Sequence, residues 1–219
     1  MQIKNSWILT DRQLCDCEMI LDGSFSPLNG FMVEEDYNSV LETMRLKNGK
    51  LFPLPIVLDV DERFSRKLSI GDILLLRDKE GFQIAQIKVD SIWQPNLERE
   101  AKLTIGTTDI FHPAVDYLFN QENKIYIGGE IKKLRMPNHF DYGQYRLNPS
   151  EIKSIFKERG WEKIIAFQTR NPLHKAHVEM IVNSMKIHDA KLLLHPVVGQ
   201  TKVGDIDHHT RVRCYEHVL

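Results

Sequence analysis

The sequence is poor in cysteine, and two common ligand-binding motifs are missing from it. Three cysteines in 219 residues are too few for a disulfide framework, and Cys15 and Cys17 are too close together for a relaxed bridge. No Cys-x-x-Cys pair is present to bind zinc, and no Gly-x-x-x-x-Gly-Lys-Ser/Thr motif is present to form a P-loop. We therefore expect three reduced thiols, the third at Cys214, in a cytoplasmic protein.

Long hydrophobic runs are also missing. The longest apolar runs, such as Ile73 to Leu76, have the length of a strand and cannot span a bilayer. The N-terminal stretch from Met1 to Thr10 is mixed polar and lacks the apolar segment of a signal peptide. The sequence therefore predicts a protein without a membrane partner.

An excess of charge of one sign is missing as well. Lys and Arg number 29 against 30 Asp and Glu, a net charge of −1, which indicates neither a nucleic-acid surface nor an acidic tail. From Asn148 onward, however, seven Lys and four Arg stand against eight acids, a balance of +3, and seven of the nine His lie there. A mildly basic, His-rich second part suits an anionic substrate.

The first 147 residues are predicted to form a β-rich domain with helices. At residues 51–95 turn-forming residues separate the strands, and the spacing of strand and turn is typical of a small β-barrel or curled sheet. Gly128 and Gly129 indicate a bulge in the last strand. Asp59, Asp61 and Glu62 are expected to be solvated turn residues rather than metal ligands. The predicted helices are Asp11 to Leu21, Glu34 to Lys47 and both ends of 96–121, and the predicted strands are 6–9, 52–60, 73–76, 82–89 and 125–131.

Residues 148–219 are predicted to form a second part, built around a β-α-β unit. An irregular polar stretch at 135–142 precedes it, and Pro149 suits the first position of a helix. The unit has about 30 residues, the usual size, and parallel strands would bring both of its loops to one edge of the sheet. The predicted elements are a helix from Pro149, a strand at 163–167, a helix at 173–187, a strand at 191–194 and a helix from Asp205 to Leu219.

The polar stretch at residues 168–177, Gln-Thr-Arg-Asn-Pro-Leu-His-Lys-Ala-His, lies where the strand turns into the helix. Helix N-termini attract phosphate because their N–H groups are unpaired and the helix dipole favours negative charge. Arg170 offers a planar fork for an oxyanion. Asn171 is expected to cap the helix, and His174 and His177 share one face of its first turn. The stretch predicts an anion and nucleotide-phosphate site.

Other interpretations of these side chains remain open. His174 and His177 could be metal ligands, although no third ligand stands nearby in the sequence. They could also be helix surface residues without a role. Arg170 could serve only in a salt bridge.

The same stretch resembles the signature of the ATP sulfurylases (sulfate adenylyltransferases), Gln-Thr-Arg-Asn-Pro-x-His-x-x-His, a variant of the His-x-x-His-type motif of adenylyl- and cytidylyltransferases. Residues 23–32, Gly-Ser-Phe-Ser-Pro-Leu-Asn-Gly-Phe-Met, are similar to an N-terminal motif of that family. Residues 194–202, with 204–207 and 211–213, are similar to the second loop and helix of its catalytic domain. The resemblance extends over essentially the whole chain.

The resemblance implies a fold, an activity and a set of roles. It implies a PUA-like β-barrel domain at 1–147 and the first part of a Rossmann-like nucleotidyltransferase domain at 148–219. The family makes adenosine 5′-phosphosulfate and pyrophosphate from sulfate and MgATP, with Mg²⁺ held mainly by ATP and water and no metal ligand in the protein. Gln168 and Arg170 would bind sulfate. The residues expected to contact ATP are Gln168, Thr169, Arg170, Asn171, His174 and His177.

Within that set, Thr169, Arg170 and Asn171 would be the active residues. His174 and His177 would stabilise the pentacoordinate α-phosphate and the leaving pyrophosphate. Sulfate is a weak nucleophile with no proton to lose, so the site's task is charge cancellation and in-line placement rather than base catalysis. This explains a stretch rich in Arg, His and amides.

One family motif, of the Gly-Arg-Asp-His-Ala-Gly type, is missing from the sequence, and family members continue beyond this length. We therefore expect the N-terminal portion of such an enzyme, truncated within its catalytic domain. The alternatives are a catalytically inactive anion- or nucleotide-binding or assembly fragment, and a nucleotidyltransferase for another oxyanion or a phosphate ester. The expected partners are ATP and sulfate, together with further copies of the chain or a separate C-terminal half.

Overall fold

The computed structural model describes residues 3–120, 123–198 and 204–218. The chain divides into two compact units, Met1–Pro149 and Ser150–Leu219. The predicted boundary between 147 and 148 stays a prediction. Cys15, Cys17 and Cys214 are free, and no helix of the described ranges is long and apolar enough to cross a membrane.

The first unit contains a mixed sheet of seven strands. Its strands are β1 (Ile3–Ile8), β2 (Gly30–Phe31), β3 (Leu58–Val60), β4 (Ile73–Arg77), β5 (Gln83–Lys88), β6 (Ser91–Trp93) and β7 (Ile125–Lys133). The sheet follows the order β1-β4-β5-β7-β2, and β3 and β6 also pair with β7. The β1–β4 pair is parallel and the other pairs are antiparallel. Strand β7 therefore pairs with four of the other six strands of this sheet.

The α-helices described in this unit are α1 (Asp11–Leu21), α2 (Glu34–Thr43), α3 (Glu62–Ser65), α4 (Leu97–Thr104) and α5 (Pro113–Asn120). Helix α1 has the predicted bounds. Thr10 and Gln13 form a capping box at its start, so two N–H groups that would lack partners are satisfied. Cys17 and Ile20 then belong to one buried apolar cluster with the sheet residues Leu74 and Ile84.

Two predicted elements of this unit were too long. Helix α2 ends at Thr43 instead of Lys47, because Met44 takes the left-handed conformation with φ 54° and closes the helix. The strand predicted at 52–60 is reduced to Leu58–Val60. Pro53 and Pro55 have no N–H to donate to a sheet partner.

Gly128 and Gly129 allow other backbone segments to approach β7, and no bulge forms there. A Cβ on Gly128 would overlap the carbonyl oxygen of Met32, and one on Gly129 would overlap that of Lys88. The register is shifted elsewhere, in the β1–β4 and β4–β5 pairs. The pair of glycines is therefore a site of close packing between β7 and its neighbours.

Asp59 is buried, so the prediction of a solvated turn residue was wrong for it. Its carboxylate pairs with Arg12 and accepts hydrogen bonds from Gln13 Nε2 at 2.9 Å and Asn123 Nδ2 at 3.0 Å. Its neighbour Asp61 is a helix cap, and accepts from the backbone N–H of Phe64 at 2.6 Å. Three donors from distant segments thus compensate the burial of one carboxylate.

A second buried carboxylate, that of Glu100, lies beneath an aromatic cluster. The hydroxyls of Tyr37 and Tyr126 donate to the same oxygen, Glu100 Oε2, at 2.8 and 3.1 Å. The two rings and that of Trp93 have centroids 5.5 to 5.8 Å apart. Glu100 links α4 to α2 and β7 through these bonds.

The second unit contains the predicted β-α-β unit. Its elements are α6 (Pro149–Glu158), β8 (Ile164–Thr169), α7 (Lys175–His188), β9 (Lys191–Pro196) and α8 (His208–Val218). Strands β8 and β9 are parallel, with Ile164 opposite Lys191 and Thr169 opposite Pro196. The loops that follow the two strands therefore leave the same edge of the sheet.

Candidate anion-binding site at the β8–α7 turn

The turn between β8 and α7 is held by Thr169 and by the loop after β9. The Thr169 hydroxyl donates to the carbonyl oxygen of Asn171 at 3.0 Å and accepts from the Asn171 N–H at 3.1 Å. The N–H of Val197 donates to the carbonyl oxygen of Thr169 at 2.8 Å. The Thr169 side chain therefore shapes the turn.

Helix α7 begins later than the sequence predicted. Its N-cap residue is His174, and in the part of the chain that the structure describes no side-chain hydrogen bond caps it. The prediction that Asn171 caps the helix was wrong, because Pro172 and Leu173 still belong to the turn. A 14-residue helix thus points an uncapped N-terminus at the polar turn, and uncapped N–H groups are a favourable environment for an anion.

The two imidazoles lie at this helix terminus. The rings of His174 and His177 stack with their centroids 3.7 Å apart and their planes at 29°. The His177 ring also contacts Phe167 of β8, with 5.7 Å between centroids. His177 Nδ1 is buried and has no hydrogen-bond partner within the described ranges. The pair therefore presents ring nitrogens beside the N-terminus of α7.

His174 and His177 have no third potential metal ligand beside them in the described residues. No group of three or more His, Cys, Asp or Glu side chains that could hold a metal ion occurs in the part of the chain that the structure describes.

Arg170 is half-exposed and pairs with Asp205, which precedes helix α8. Its Nη2 donates to Asp205 Oδ2, so the salt bridge that the sequence left open is present. Its Nε is buried and has no partner among residues 3–120, 123–198 and 204–218. On the Nε–Nη2 edge of the guanidinium group, Asp205 therefore accepts a hydrogen bond from Nη2, and Nε remains available to a ligand.

Two side chains of helix α8 donate hydrogen bonds to backbone carbonyls of the turn. Arg211 Nη1 donates to the carbonyl oxygens of Arg170 and Val197, both at 2.8 Å. The hydroxyl of Tyr215 donates to the carbonyl oxygen of Asn171 at 2.9 Å. Sequence reasoning assigned no role to either residue, although their spacing of four places them on one helix face. Burial raises the pKa of Tyr215, which keeps its phenol as a donor.

Gln168 is not brought beside the histidines. Successive strand residues face opposite sides of a sheet, and Phe167 faces α7 through its contact with His177. Gln168 therefore faces the other side, next to its register partner His195. The predicted residues Thr169, Arg170 and Asn171 form the turn itself. The predicted loop residues 199–202 lie outside the described residues.

Two family models match the chain. One, described as PUA-like domain, matches residues 2–136, and the other, described as ATP-sulfurylase, matches residues 143–219. The chain is thus a two-part protein, in which a PUA-like domain precedes an ATP-sulfurylase segment. This confirms the predicted class of the N-terminal domain.

Similar curated proteins support the same assignment. The sulfate adenylyltransferase of Kluyveromyces lactis is 47% identical over 215 residues, which are 98% of this chain and 42% of the relative. That of Schizosaccharomyces pombe is 46% identical over 214 residues, 97% of this chain and 44% of the relative. Residues 143–219 therefore match the ATP-sulfurylase family, and the chain spans about two fifths of the length of these relatives.

A solved structure resembles the chain over nearly its full length. It is a hexameric APS kinase from Thiobacillus denitrificans, with a TM-score of 0.77 and 30% identity. The match covers 97% of this chain and 38% of that chain.

Proposed function

We propose that the chain provides the N-terminal part of a sulfate adenylyltransferase. In this reaction an oxygen of sulfate attacks the α-phosphorus of ATP, the bond to the β-phosphate breaks, and adenosine 5′-phosphosulfate and pyrophosphate are formed. The observation that carries the proposal is the turn at 169–171, where a guanidinium group with an unpartnered Nε adjoins an uncapped helix terminus. Relatives at 46 to 47% identity that bear this activity in their names support it.

The chemistry of the turn suits the reaction. Two polyanions must approach each other, so the dominant need is for preorganised positive charge and N–H donors. Arg170 would bind sulfate through the part of its fork that Asp205 leaves unused. Gln168 would contact sulfate only from the face of β8 that is turned away from α7, so we assign it to that side of the site.

The remaining predicted residues take distinct roles in the proposal. His174 and His177 would contact the α-phosphate and the departing pyrophosphate, because they lie beside the N-terminus of α7. Thr169 would act by shaping the turn, since its hydroxyl is engaged with Asn171 in both directions. The N–H groups of the first turn of α7 would complete the phosphate contacts.

Magnesium would enter the reaction with ATP. Mg²⁺ prefers carboxylate, phosphate and water oxygens. The carboxylate of Asp205 at this turn is engaged by Arg170, and the predicted site residues carry amide, hydroxyl, imidazole and guanidinium groups. This donor set fits an ion held mainly by the phosphates of ATP and by water. The ion would neutralise charge on the β- and γ-phosphates.

The proposal includes the finer fold and the assembly. We assign the second unit to a Rossmann-like nucleotidyltransferase domain, because parallel β8 and β9 flank α7 and place the site at their carboxyl edge. We further propose a cytoplasmic protein that works as an oligomer or with a separate C-terminal half. The hexameric relative supports the first of these assemblies.

Sulfate-dependent release of pyrophosphate from MgATP tests the function. The wild-type chain, Arg170→Ala and Arg213→Ala are compared, alone and with the C-terminal region of a relative. Arg213 lies exposed on α8 and serves as the matched control. We expect Arg170→Ala to lower kcat/KM for sulfate about 10²- to 10³-fold, the cost of losing one preorganised donor, and the control to stay within about twofold of wild type.

Two results would refute this function. One is an Arg170→Ala variant as active as wild type. The other is the absence of sulfate-dependent release under both conditions although the chain binds sulfate, which would assign a binding module instead.

A further inference from the structure

The guanidinium group of Arg211 lies buried behind the proposed anion site. Its side chain belongs to a residue that is only 1% exposed, the largest fully buried residue in the described parts of the chain. One nitrogen, Nη1, donates to two carbonyl oxygens from different loops, those of Arg170 and Val197. Another, Nε, is buried with no partner in residues 3–120, 123–198 and 204–218. Carbonyl groups satisfy donors, but they do not neutralise a charge.

The acids around Arg211 do not supply its counter-charge. Within the described residues no carboxylate forms an ion pair with Arg211. Asp205 pairs with Arg170, and Asp207 caps α8 through the N–H of Thr210 at 3.0 Å. The segment 199–203, which connects β9 to the described residues before α8, contains no Asp or Glu and one Lys. Two guanidinium groups, those of Arg170 and Arg211, thus adjoin the turn, and in the described residues the one ion pair that either makes is that of Arg170 with Asp205.

We propose that Arg211 is a positioning residue whose buried positive charge is balanced only when a tetrahedral dianion binds at the β8–α7 turn. A buried charge is costly unless it is paired, so an anion bound nearby lowers the free energy of the occupied site relative to the empty one. This inference deepens the proposed function and rests on it for the identity of the anion as sulfate.

The contacts of Arg211 explain how it acts on a ligand that it does not touch. It fixes the carbonyl of Arg170 relative to that of Val197, so the loops after β8 and β9 keep one spacing. The planar fork of Arg can hold two carbonyls at once, whereas the ammonium of Lys is a point charge on a flexible stem. Arg211 therefore contributes both position and charge, and the two contributions can be separated by substitution.

The test measures anion binding by the whole 219-residue chain. Isothermal titration with sulfate and with nitrate, at one ionic strength set by NaCl, compares wild type with Arg211→Lys, Arg211→Met and the control Arg213→Met. A contribution of charge favours the dianion over the monoanion, because Coulomb energy scales with ligand charge. Loosening of the turn alone weakens both anions by the same factor.

We expect Arg211→Met to raise the Kd of sulfate about 10- to 100-fold, which is about 1.4 to 2.7 kcal/mol, and to lower the sulfate-to-nitrate preference. Arg211→Lys should keep that preference, because it keeps the charge, while its Kd for sulfate rises about 3- to 10-fold. Arg213→Met should match wild type. A sulfate Kd and preference unchanged in folded Arg211→Met would overturn the inference, as would a wild-type chain that does not bind sulfate.

Far-ultraviolet circular dichroism shows whether each variant is folded. If Arg211→Met does not fold, Arg211→Lys decides: an unchanged Kd for sulfate contradicts the inference, and a raised Kd with the preference retained supports it. Failure of the proposed function can be distinguished from failure of this inference by measuring pyrophosphate release. A chain that binds sulfate in an Arg211-dependent way, but releases no pyrophosphate, would refute the reaction and leave the role of Arg211 intact.

Discussion

Replacement of Glu100 by Gln and by Leu separates the charge of a buried carboxylate from its hydrogen bonds. Glu100 is 6% exposed, and both phenols of the cluster, those of Tyr37 and Tyr126, donate to the single oxygen Oε2. The amide oxygen of Gln can accept both bonds, whereas Leu accepts none. The two variants therefore differ mainly in whether the phenols keep an acceptor.

The magnitudes follow from these contacts. In Glu100→Leu two buried hydroxyls lose their acceptor at a cost of about 1–3 kcal/mol each, so the free energy of unfolding should fall by about 2–6 kcal/mol. In Glu100→Gln both bonds remain, and the change at neutral pH should stay within about 1 kcal/mol. The nearby Trp93 makes the unfolding transition visible by fluorescence during a urea titration.

The pH dependence gives a second, independent check. Burial raises the pKa of Glu100 above its ordinary 4.5, and the hydrogen bonds from Tyr37 and Tyr126 only partly offset this effect. The folded protein then holds the proton more tightly than the unfolded chain, so the free energy of unfolding falls as pH rises from 4.5 through the raised pKa. Glu100→Gln has no titrating carboxyl at this position, so it lacks this pH-dependent loss of stability. Its stability relative to wild type should therefore increase between about pH 4 and 8, and a constant or decreasing difference would refute the reasoning.

Two further predictions concern the backbone around β7 and the clamp from α8. Gly128→Ala places a Cβ against the backbone of Met32 and should lower the free energy of unfolding of the first unit by about 1–3 kcal/mol or prevent its folding. The control Gly143→Ala, whose Cβ meets no atom within 4 Å, should leave the free energy of unfolding unchanged. Equal urea midpoints for the two variants would contradict the role of Gly128 in close packing. Tyr215→Phe should cost about 0.5–1.5 kcal/mol in urea unfolding, because the carbonyl of Asn171 keeps its bond from Thr169; a loss above about 3 kcal/mol would show that the hydroxyl holds more than this one carbonyl.

Elements with strong local signals were predictable from the sequence. Helix α1 has both predicted ends because Thr10 and Gln13 form its capping box and left-handed Gly23 follows it at φ 86°. The β-α-β unit around α7 was also predicted, because two apolar strands flank a periodic helix. In both cases the pattern that indicates each helix or strand lies within a few neighbouring residues of the sequence.

Features that depend on distant residues were not predictable. The burial of Asp59 depends on donors 46 to 64 residues away. Helix α2 stops early because Met44 takes a left-handed conformation that its residue type does not favour. These are tertiary effects, and no local pattern in the sequence indicates them.

The candidate site shows the same division. Residues 168–177 indicated an anion site through residue type and their place between a strand and a helix. The clamp from α8 joins Arg211 and Tyr215 to carbonyls 41 and 44 residues earlier in the chain. A backbone carbonyl carries no sequence signal, so only the structure identifies these two residues.

Transfer of label from ¹⁸O-sulfate tests the central claim most directly. The chain, together with the C-terminal region of a relative if required, is incubated with MgATP and fully labelled sulfate, and the products are analysed by mass spectrometry. Attack of sulfate on the α-phosphorus predicts adenosine 5′-phosphosulfate that retains all four labelled oxygens, formed about 10²- to 10³-fold more slowly when Arg170→Ala replaces the wild type. A product with three labelled oxygens would contradict the account. So would the absence of adenosine 5′-phosphosulfate from the wild-type chain both alone and with the C-terminal region of a relative.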